Sequence, residues 1–264
     1  MPITPPDTSQ YKGQAMITLV YDDGFKSDFD NALPLHLEFN LQAGFAIIAT
    51  RTLNKRYWQG YMEPWQVAEA ANQGVEICSH SYTHPHLTEV NDQRLDFELR
   101  QSKQELENIT GRAVKAFCVP FSNSDARVIE AAEKYYSTVR VKGKKFTPVA
   151  PKGDDRIVYS FGLTKDSTFQ EVKDIIDKAV AEKAWVTLML HGVVPQPYAE
   201  QREYEIDKGL LREILTYIKG IGPEKLLPIN LSDIHDIRAK QAAAPKPGQP
   251  DTVRLERLMM NSMP

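Results

Sequence analysis

The chain is poor in cysteine, in long apolar runs and in unbalanced charge. Its 264 residues contain two cysteines, Cys78 and Cys118, which excludes a disulfide scaffold; each lies in an apolar segment typical of a buried strand. The longest apolar runs, such as 185–190, are too short to span a bilayer. A net charge of −3 indicates neither nucleic acid nor an anionic membrane as the main partner.

The N-terminus has no basic region followed by an apolar stretch, so no signal peptide is expected. Two compartments stay open: the cytoplasm, or an extracellular or periplasmic location after removal of a leader. Pro-rich residues 1–13 indicate an N-terminal arm, and residues 241–264 begin with a linker composition that indicates a C-terminal tail. A single domain is expected over residues 14–240. The sequence leaves the oligomeric state open.

Short β-rich apolar segments alternate with helical patterns across this domain. Strands are predicted at 16–21, 43–48, 75–78, 114–119, 137–141, 156–159, 185–190 and 226–229. Helices are predicted at 64–73, 92–109, 126–135, 168–182 and 203–219, with Asn91 capping the second and Ser167 the fourth. This alternation predicts parallel strands with helices outside, and seven or eight such units favour a (β/α)7-8 barrel over an open sheet.

Candidate site residues follow four of the predicted strands. Asp22 and Asp23 follow the first strand, His80 the third, Phe121 the fourth and His191 the seventh. Because the C-terminal ends of parallel strands meet at one rim of a barrel, these side chains are expected to share a site.

The acidic pair and two histidines form a candidate metal site. Asp-Asp-Gly alone is typical of a turn, but two like charges in a barrel mouth are costly unless a cation neutralises them. His80 and His84 are four residues apart, a spacing at which both rings reach one ion, although Pro85 favours a loop with one turn over a long helix. One aspartate and two imidazoles suit zinc or a similar divalent ion, and the second carboxylate is then a ready base for hydrolysis.

Two further groups have both a structural and a catalytic interpretation. His191 ends a very apolar strand and is either a core histidine or a general acid. Met189 lies two residues earlier, points the same way and can line an apolar pocket. The turn at 120–123 either only reverses the chain or aims its N–H groups at a developing oxyanion.

Four short motifs resemble the ordered motifs of the polysaccharide deacetylase family, also called carbohydrate esterase family four. They are Tyr-Asp-Asp-Gly at 21–24, His-Ser-Tyr-Thr-His-Pro at 80–85, Val-Pro-Phe at 119–121 and Leu-Met-Leu-His at 188–191. The resemblance covers roughly residues 15–235. It implies a distorted (β/α) barrel that removes N-acetyl, sometimes O-acetyl, groups from an acetylated oligo- or polysaccharide.

The resemblance also implies a role for each candidate residue. Asp23, His80 and His84 would hold the metal, most often zinc, with cobalt and nickel as alternatives. Asp22 would be the general base, and His191 would protonate the departing amine. The Phe121 N–H would help to stabilise the oxyanion, and Met189 would replace a pocket leucine at similar volume.

The sequence departs from the family pattern at two supporting positions. The family carries an arginine two residues before the motif proline, where this chain has Cys118, and we expect Arg140 on the next strand to hold Asp22 instead. The family's fourth motif, an Asp followed by an aromatic residue that orients the catalytic histidine, has no match here. His191 would then depend on another group for its orientation.

Two alternatives to the deacetylase stay open. One is a cyclic amide or imide hydrolase on the same barrel, of which some relatives need no metal. The other is a carbohydrate-binding protein without activity. Aromatic residues near the rim are candidates for stacking on sugar rings or for packing in loops: Tyr57, Trp58, Tyr61, Trp65 and Tyr82. The sequence fixes neither the glycan nor the metal.

Overall fold

The computed structural model describes residues 1–142, 146–147, 156–197 and 201–243. Its centre is a barrel of seven parallel strands: β1 (Ala15–Tyr21), β2 (Gly44–Ile47), β3 (Glu76–Ser79), β4 (Ala116–Cys118), β5 (Thr138–Lys142), β6 (Ile157–Gly162) and β7 (Trp185–Leu190). Each strand pairs with the next, and β7 pairs with β1 over six residues, which closes the ring. The predicted single-domain α/β barrel is confirmed.

Three short strands follow: β8 (Val193–Val194), β9 (Ile206–Asp207) and β10 (Leu226–Pro228). The helices are α1 (Leu33–Phe39), α2 (Ala49–Leu53), α3 (Pro64–Asn72), α4 (Asp92–Thr110), α5 (Ala126–Glu133), α6 (Phe169–Glu182), α7 (Lys208–Ile221) and α8 (Ile234–Ala243). None of the helices in the described part of the chain combines the length and apolar character needed to cross a membrane. Residues 244–264 of the predicted tail lie outside the described residues.

Two predicted helix starts are wrong. Thr168, not Ser167, caps α6, because the Thr168 side chain accepts from the Glu171 N–H while Glu171 bonds back in a capping box. Helix α7 begins at Lys208 because the preceding residues extend into β9, and Asp207 then accepts from two N–H groups of the first turn. The Asn91 cap of α4 is as expected, since its side chain accepts from the Arg94 N–H at 2.8 Å.

Side chains alternate between the two faces of the barrel wall. On β1, Ile17 and Leu19 pack outward among the helices, whereas Met16 and Val20 pack inside the barrel, where the free cysteines Cys78 and Cys118 also lie. The inward row of each strand continues to the C-terminal rim. The period of two therefore carries the residue two positions after the last inward apolar one into the barrel mouth, as Asp22 follows Val20.

Glu76 closes the opposite end of the barrel. It is partly buried at the start of β3, and its carboxylate accepts from the N–H groups of Leu231 at 2.7 Å and Ser232 at 3.1 Å. Burial is the largest influence and, with the charge of Asp233, raises the pKa of Glu76 to about 7. The carboxyl thus joins the barrel to the segment that leads into α8.

The raised pKa of Glu76 predicts a pH-dependent stability. Between about pH 4.5 and 7 the folded chain keeps a proton that the unfolded chain has lost, so the free energy of unfolding falls as pH rises through this window, by about 3 kcal/mol. We expect Glu76→Gln to flatten this slope in urea unfolding at pH 5 and pH 8. The exposed control Glu224→Gln should keep it, and equal slopes for wild type and Glu76→Gln would contradict the assignment.

Candidate active site

A pocket of about 290 Å³ opens at the C-terminal rim of the barrel. It is lined by Asp22, Asp23, His80, His84, Phe121, Ser122, Met189, His191 and Tyr204. All seven candidate residues from the sequence are therefore brought together; Ser122 and Tyr204 were not foreseen. A larger groove beside α7, about 830 Å³, has no histidine in its lining.

Asp23, His80 and His84 form a triangle of ligand atoms. The two histidine Nε2 atoms are 3.2 Å apart, and each lies 3.4 Å from Asp23 Oδ1. A tetrahedral zinc ion with bonds of about 2.1 Å separates its ligands by ~3.4 Å, so the three residues fit such an ion. Among the described residues, this is the group of three that has metal-ligand spacing.

Contacts behind the triangle orient its histidines. The His80 Nδ1–H donates to the Cys118 carbonyl at 2.7 Å, which leaves the Nε2 lone pair facing the pocket. The Ser81–His84 loop is held from α4 by Glu98, which is fully buried and accepts from the Thr83 N–H and Oγ1 at 2.7 and 2.6 Å. The one signal for Glu98 in the sequence is an acidic residue on the apolar face of α4.

The charges of the triangle suit a cation. Burial acts to raise the pKa of Asp23, but its hydrogen bond to His80 and the nearby imidazoles outweigh burial and lower the pKa to about 2. Burial lowers the pKa of His84 to about 4, so its ring is neutral at pH 7. Burial opposes protonation of His80, but Asp22 and Asp23 outweigh it and raise its pKa. Because a ligand nitrogen must be deprotonated, a cation competes with the proton that these two carboxylates favour on His80.

Left-handed backbone conformations build the three loops of the pocket. Asp23, Ser81, His84, Phe121 and Ser122 are five of the seven non-glycine residues with positive φ in the described chain. Successive strand residues point to opposite faces, so Asp22 and Asp23 would diverge on a regular strand. The φ of 76° at Asp23 lets both carboxylates enter the pocket. Such clustering of costly conformations is typical of functional sites.

Arg140 holds Asp22 inside the barrel. Its fully buried guanidinium places Nη2 at 2.8 and 2.7 Å from the two carboxylate oxygens of Asp22. Asp22 is 3 % exposed, and its Oδ2 lies 3.9 Å from His80 Nε2, so it stands beside the triangle without joining it. Cys118 and Arg140 are paired in register on β4 and β5. A cation at either position can therefore reach the same carboxylate.

His191 and Phe121 lie on opposite sides of the pocket. The Nδ1 atom of His191 is buried without a hydrogen-bond partner among the described residues, in agreement with the unmatched fourth motif, and burial lowers the pKa of the ring. Its ring centroid lies 5.0 Å from that of Tyr204. The Phe121 ring stacks on His86 at 3.9 Å and contacts His84 at 4.4 Å. His86 thus supports the pocket wall.

Replacing a triangle residue is expected to remove metal binding. Because His84→Ala deletes one of three ligands, zinc affinity measured by isothermal titration should fall more than about 100-fold, a larger loss than substitution of a group that only hydrogen-bonds to a ligand. Wild-type affinity should rise with pH as bound protons are released. His86→Ala is the matched control and should bind zinc like the wild type. Equal affinities for His84→Ala and wild type would exclude this site.

A (β/α) barrel with a polar pocket at its C-terminal rim is the architecture of many hydrolytic enzymes. The sequence model of the polysaccharide deacetylase family matches residues 9–139. The chain therefore belongs to the polysaccharide deacetylase family, as its motifs predict.

Individual relatives are distant. Chitin deacetylase 2 from Cryptococcus neoformans is 25 % identical over 163 residues, which cover 61 % of this chain and 32 % of that protein. The chain thus spans about a third of the length of this curated relative. The Xyl-CE4 domain of a multidomain xylanase, from the hindgut metagenome of Trinervitermes trinervoides, superposes with a TM-score of 0.57 at 18 % identity over 88 % of this chain and 93 % of that domain.

A CE4 family pseudoenzyme from Bacillus anthracis has a similar fold. Its TM-score is 0.56 at 14 % identity, over 85 % of this chain and 66 % of that one. At these identities the structural likeness shows the fold alone. Activity must be argued from the residues of the pocket.

Proposed function

We propose that the chain is a metal-dependent deacetylase that hydrolyses N-acetyl groups, and on some substrates O-acetyl groups, of a carbohydrate and releases acetate. The observation that carries this proposal is the pairing of an Asp22 carboxylate, held by Arg140, with a separate Asp-His-His triangle in the same pocket. A structural ion site needs no spare carboxylate. A hydrolytic site needs one as a base.

The residues of the pocket divide the reaction between them. Asp23, His80 and His84 would hold a divalent ion, which would supply Lewis-acid polarisation of the acetyl carbonyl and a lowered pKa for water. Asp22 accepts the proton of the attacking water, and Arg140 keeps its oxygens aimed into the pocket. The Phe121 N–H donates to the oxygen on which negative charge develops.

His191 completes the reaction from the β7 side of the pocket. Its protonated ring donates to the amine nitrogen as the carbon–nitrogen bond breaks, and acetate and the free amine leave. Met189, which is 4 % exposed, lines the pocket and offers an apolar surface to the acetyl methyl group. Arg140 Nη1 lies 2.8 Å from the Met189 sulfur, so this wall and the base are fixed by one guanidinium.

Acetate release tests the proposal. Zinc-loaded protein is incubated with acetylated chito-oligosaccharides, peptidoglycan fragments, a poly-N-acetylglucosamine and acetylated xylan, and acetate is measured. Release should occur with at least one glycan, stop on chelation and return with zinc, cobalt or nickel. Chelator-resistant opening of a cyclic amide or imide, without acetate release, would instead favour the metal-free alternative.

One observation favours the non-catalytic alternative. Within the part of the chain that the structure describes, no carboxylate bonds to Nδ1 of His191, so the proposed proton donor lacks there the orienting group that the family motif supplies. A carbohydrate-binding protein would bind the same glycans with the zinc site loaded and would release no acetate from any of them. The glycan panel therefore separates the two functions.

A further inference from the structure

A cationic cluster on the pocket rim has no anionic partner. Arg51, Lys55 and Arg56 lie in one short segment after β2, and none of them forms an ion pair with a carboxylate of the described chain. The chain as a whole carries a net charge of −3, so this cluster is local and does not reflect a basic protein. Three neighbouring cations repel one another, and an anionic ligand would relieve that repulsion.

Arg51 is the most constrained member of this rim cluster. Its guanidinium carbon lies 4.1 Å from the ring centroid of Tyr57 and 5.4 Å from that of Tyr61. Its Nε is buried without an acceptor, and its side chain donates no hydrogen bond within the described part of the chain. A guanidinium has five donors, and a buried donor left unpaired is costly. The two tyrosine rings thus fix the plane of the group and leave its donors for a ligand.

Backbone hydrogen bonds place this segment between the two loops of the proposed metal site. The N–H groups of Ala49 and Thr50 donate to the carbonyls at 81 and 82, in the loop that carries His80 and His84. On the other side, the Met62 N–H donates to the Gly24 carbonyl at 2.9 Å, directly after Asp22 and Asp23. The Tyr61 ring also stacks on Phe25 at 5.1 Å. The rim cluster therefore borders the pocket entrance.

We propose that Arg51 is a specificity residue that binds an anionic group, a carboxylate or a phosphate, on a sugar next to the acetylated one. The substrate class is then an acidic acetylated glycan. This inference rests on the proposed deacetylase function and narrows its substrate. The planar guanidinium fork matches both oxyanions in a bidentate manner, and Lys55 and Arg56, both exposed, add a salt-dependent attraction.

A matched pair of glycans tests this proposal. The acidic probe is a tetrasaccharide of alternating N-acetylglucosamine and glucuronic acid, and the neutral probe is its carboxyl-reduced counterpart. Zinc-loaded wild type should show a KM about ten-fold lower for the acidic probe at similar kcat. Arg51→Gln should bring the ratio of the two KM values close to one, and Arg51→Lys should keep part of the preference. Arg100→Gln, an exposed position on α4, should behave as wild type.

Binding without turnover makes the result independent of catalysis. Both probes are titrated into zinc-loaded Asp22→Asn. This variant should bind the acidic probe more tightly than the neutral one, and adding Arg51→Gln should remove the difference in affinity. Equal affinity of the wild-type rim for both probes, or a preference that survives Arg51→Gln in a folded protein, would overturn the inference. A binding preference with no acetate release from any glycan would instead refute the proposed function and support the role of Arg51. A phosphate-substituted N-acetylglucosamine oligosaccharide, run in parallel, distinguishes phosphate from carboxylate as the preferred group.

Discussion

Asp22→Asn is expected to lower acetate release about 10²–10⁴-fold while zinc binding stays close to that of the wild type. The asparagine has the same shape and can still accept from Arg140, but it cannot take a proton from water. Asp22 lies outside the triangle of ligand atoms, so its charge is not needed to hold the ion. Asp22→Asn leaves Arg140 without its anion and should therefore lower the stability of the protein. Turnover should be measured with saturating zinc and at a temperature well below the unfolding midpoint of the variant.

Two controls separate this effect from a general loss of the fold. Asp30→Asn changes an exposed aspartate in the π-helical turn Asp28–Ala32 that leads into α1 and should leave turnover unchanged. Asp23→Asn should lose zinc affinity and turnover together, since it removes a candidate ligand. If Asp22→Asn kept wild-type turnover, the base would have to be another group, and the proposed division of roles would be wrong.

The barrel was predictable because its signals are local. Parallel strands buried on both faces appear as apolar runs such as 185–190, and the rim follows from where each run ends. The position of Asp22, His80 and His191 in one pocket therefore needed only strand ends and a period of two. Helix starts were less certain, since Thr168 and Ser167 are both good capping residues and only the Glu171 partner distinguishes them.

The rest of the candidate site depends on contacts between distant segments. Nothing local in the sequence requires a left-handed conformation at Asp23 or Phe121, yet these conformations aim the groups into the pocket. Arg51 on α2 contacts Tyr57 and Tyr61 within one segment, but the position of that segment beside the pocket depends on backbone bonds to the distant residues 24 and 82. Arg140 could be predicted from the sequence because Cys118 stands where the family has an arginine, so that a cation for Asp22 had to come from another strand. Its reach to Asp22 is set by the β4–β5 register.

Arg140→Ala is expected to lower the free energy of unfolding by about 3–5 kcal/mol and to reduce turnover at saturating zinc. The substitution leaves the Asp22 carboxylate buried without its cation, which is among the most destabilising of single changes. It also frees the Asp22 carboxylate to rotate, so the base is no longer held in the orientation that faces the pocket. Urea unfolding and acetate release measure the two effects. Arg156→Ala, which removes a bond to the Glu133 carbonyl away from the pocket, is the control for losing a partly buried arginine.

A rescue and a double substitution distinguish positioning of the base from support of the fold. Moving the cation to the family position, with Cys118→Arg combined with Arg140→Cys, should restore much of the stability and turnover, because positions 118 and 140 are paired in register. In the cycle with Asp22→Asn, the double variant should be more stable than Arg140→Ala alone, since no buried charge is left unpaired. Unchanged turnover in Arg140→Ala would show that Asp22 needs no cation, and the replacement of the family arginine by Arg140 would then have no catalytic meaning.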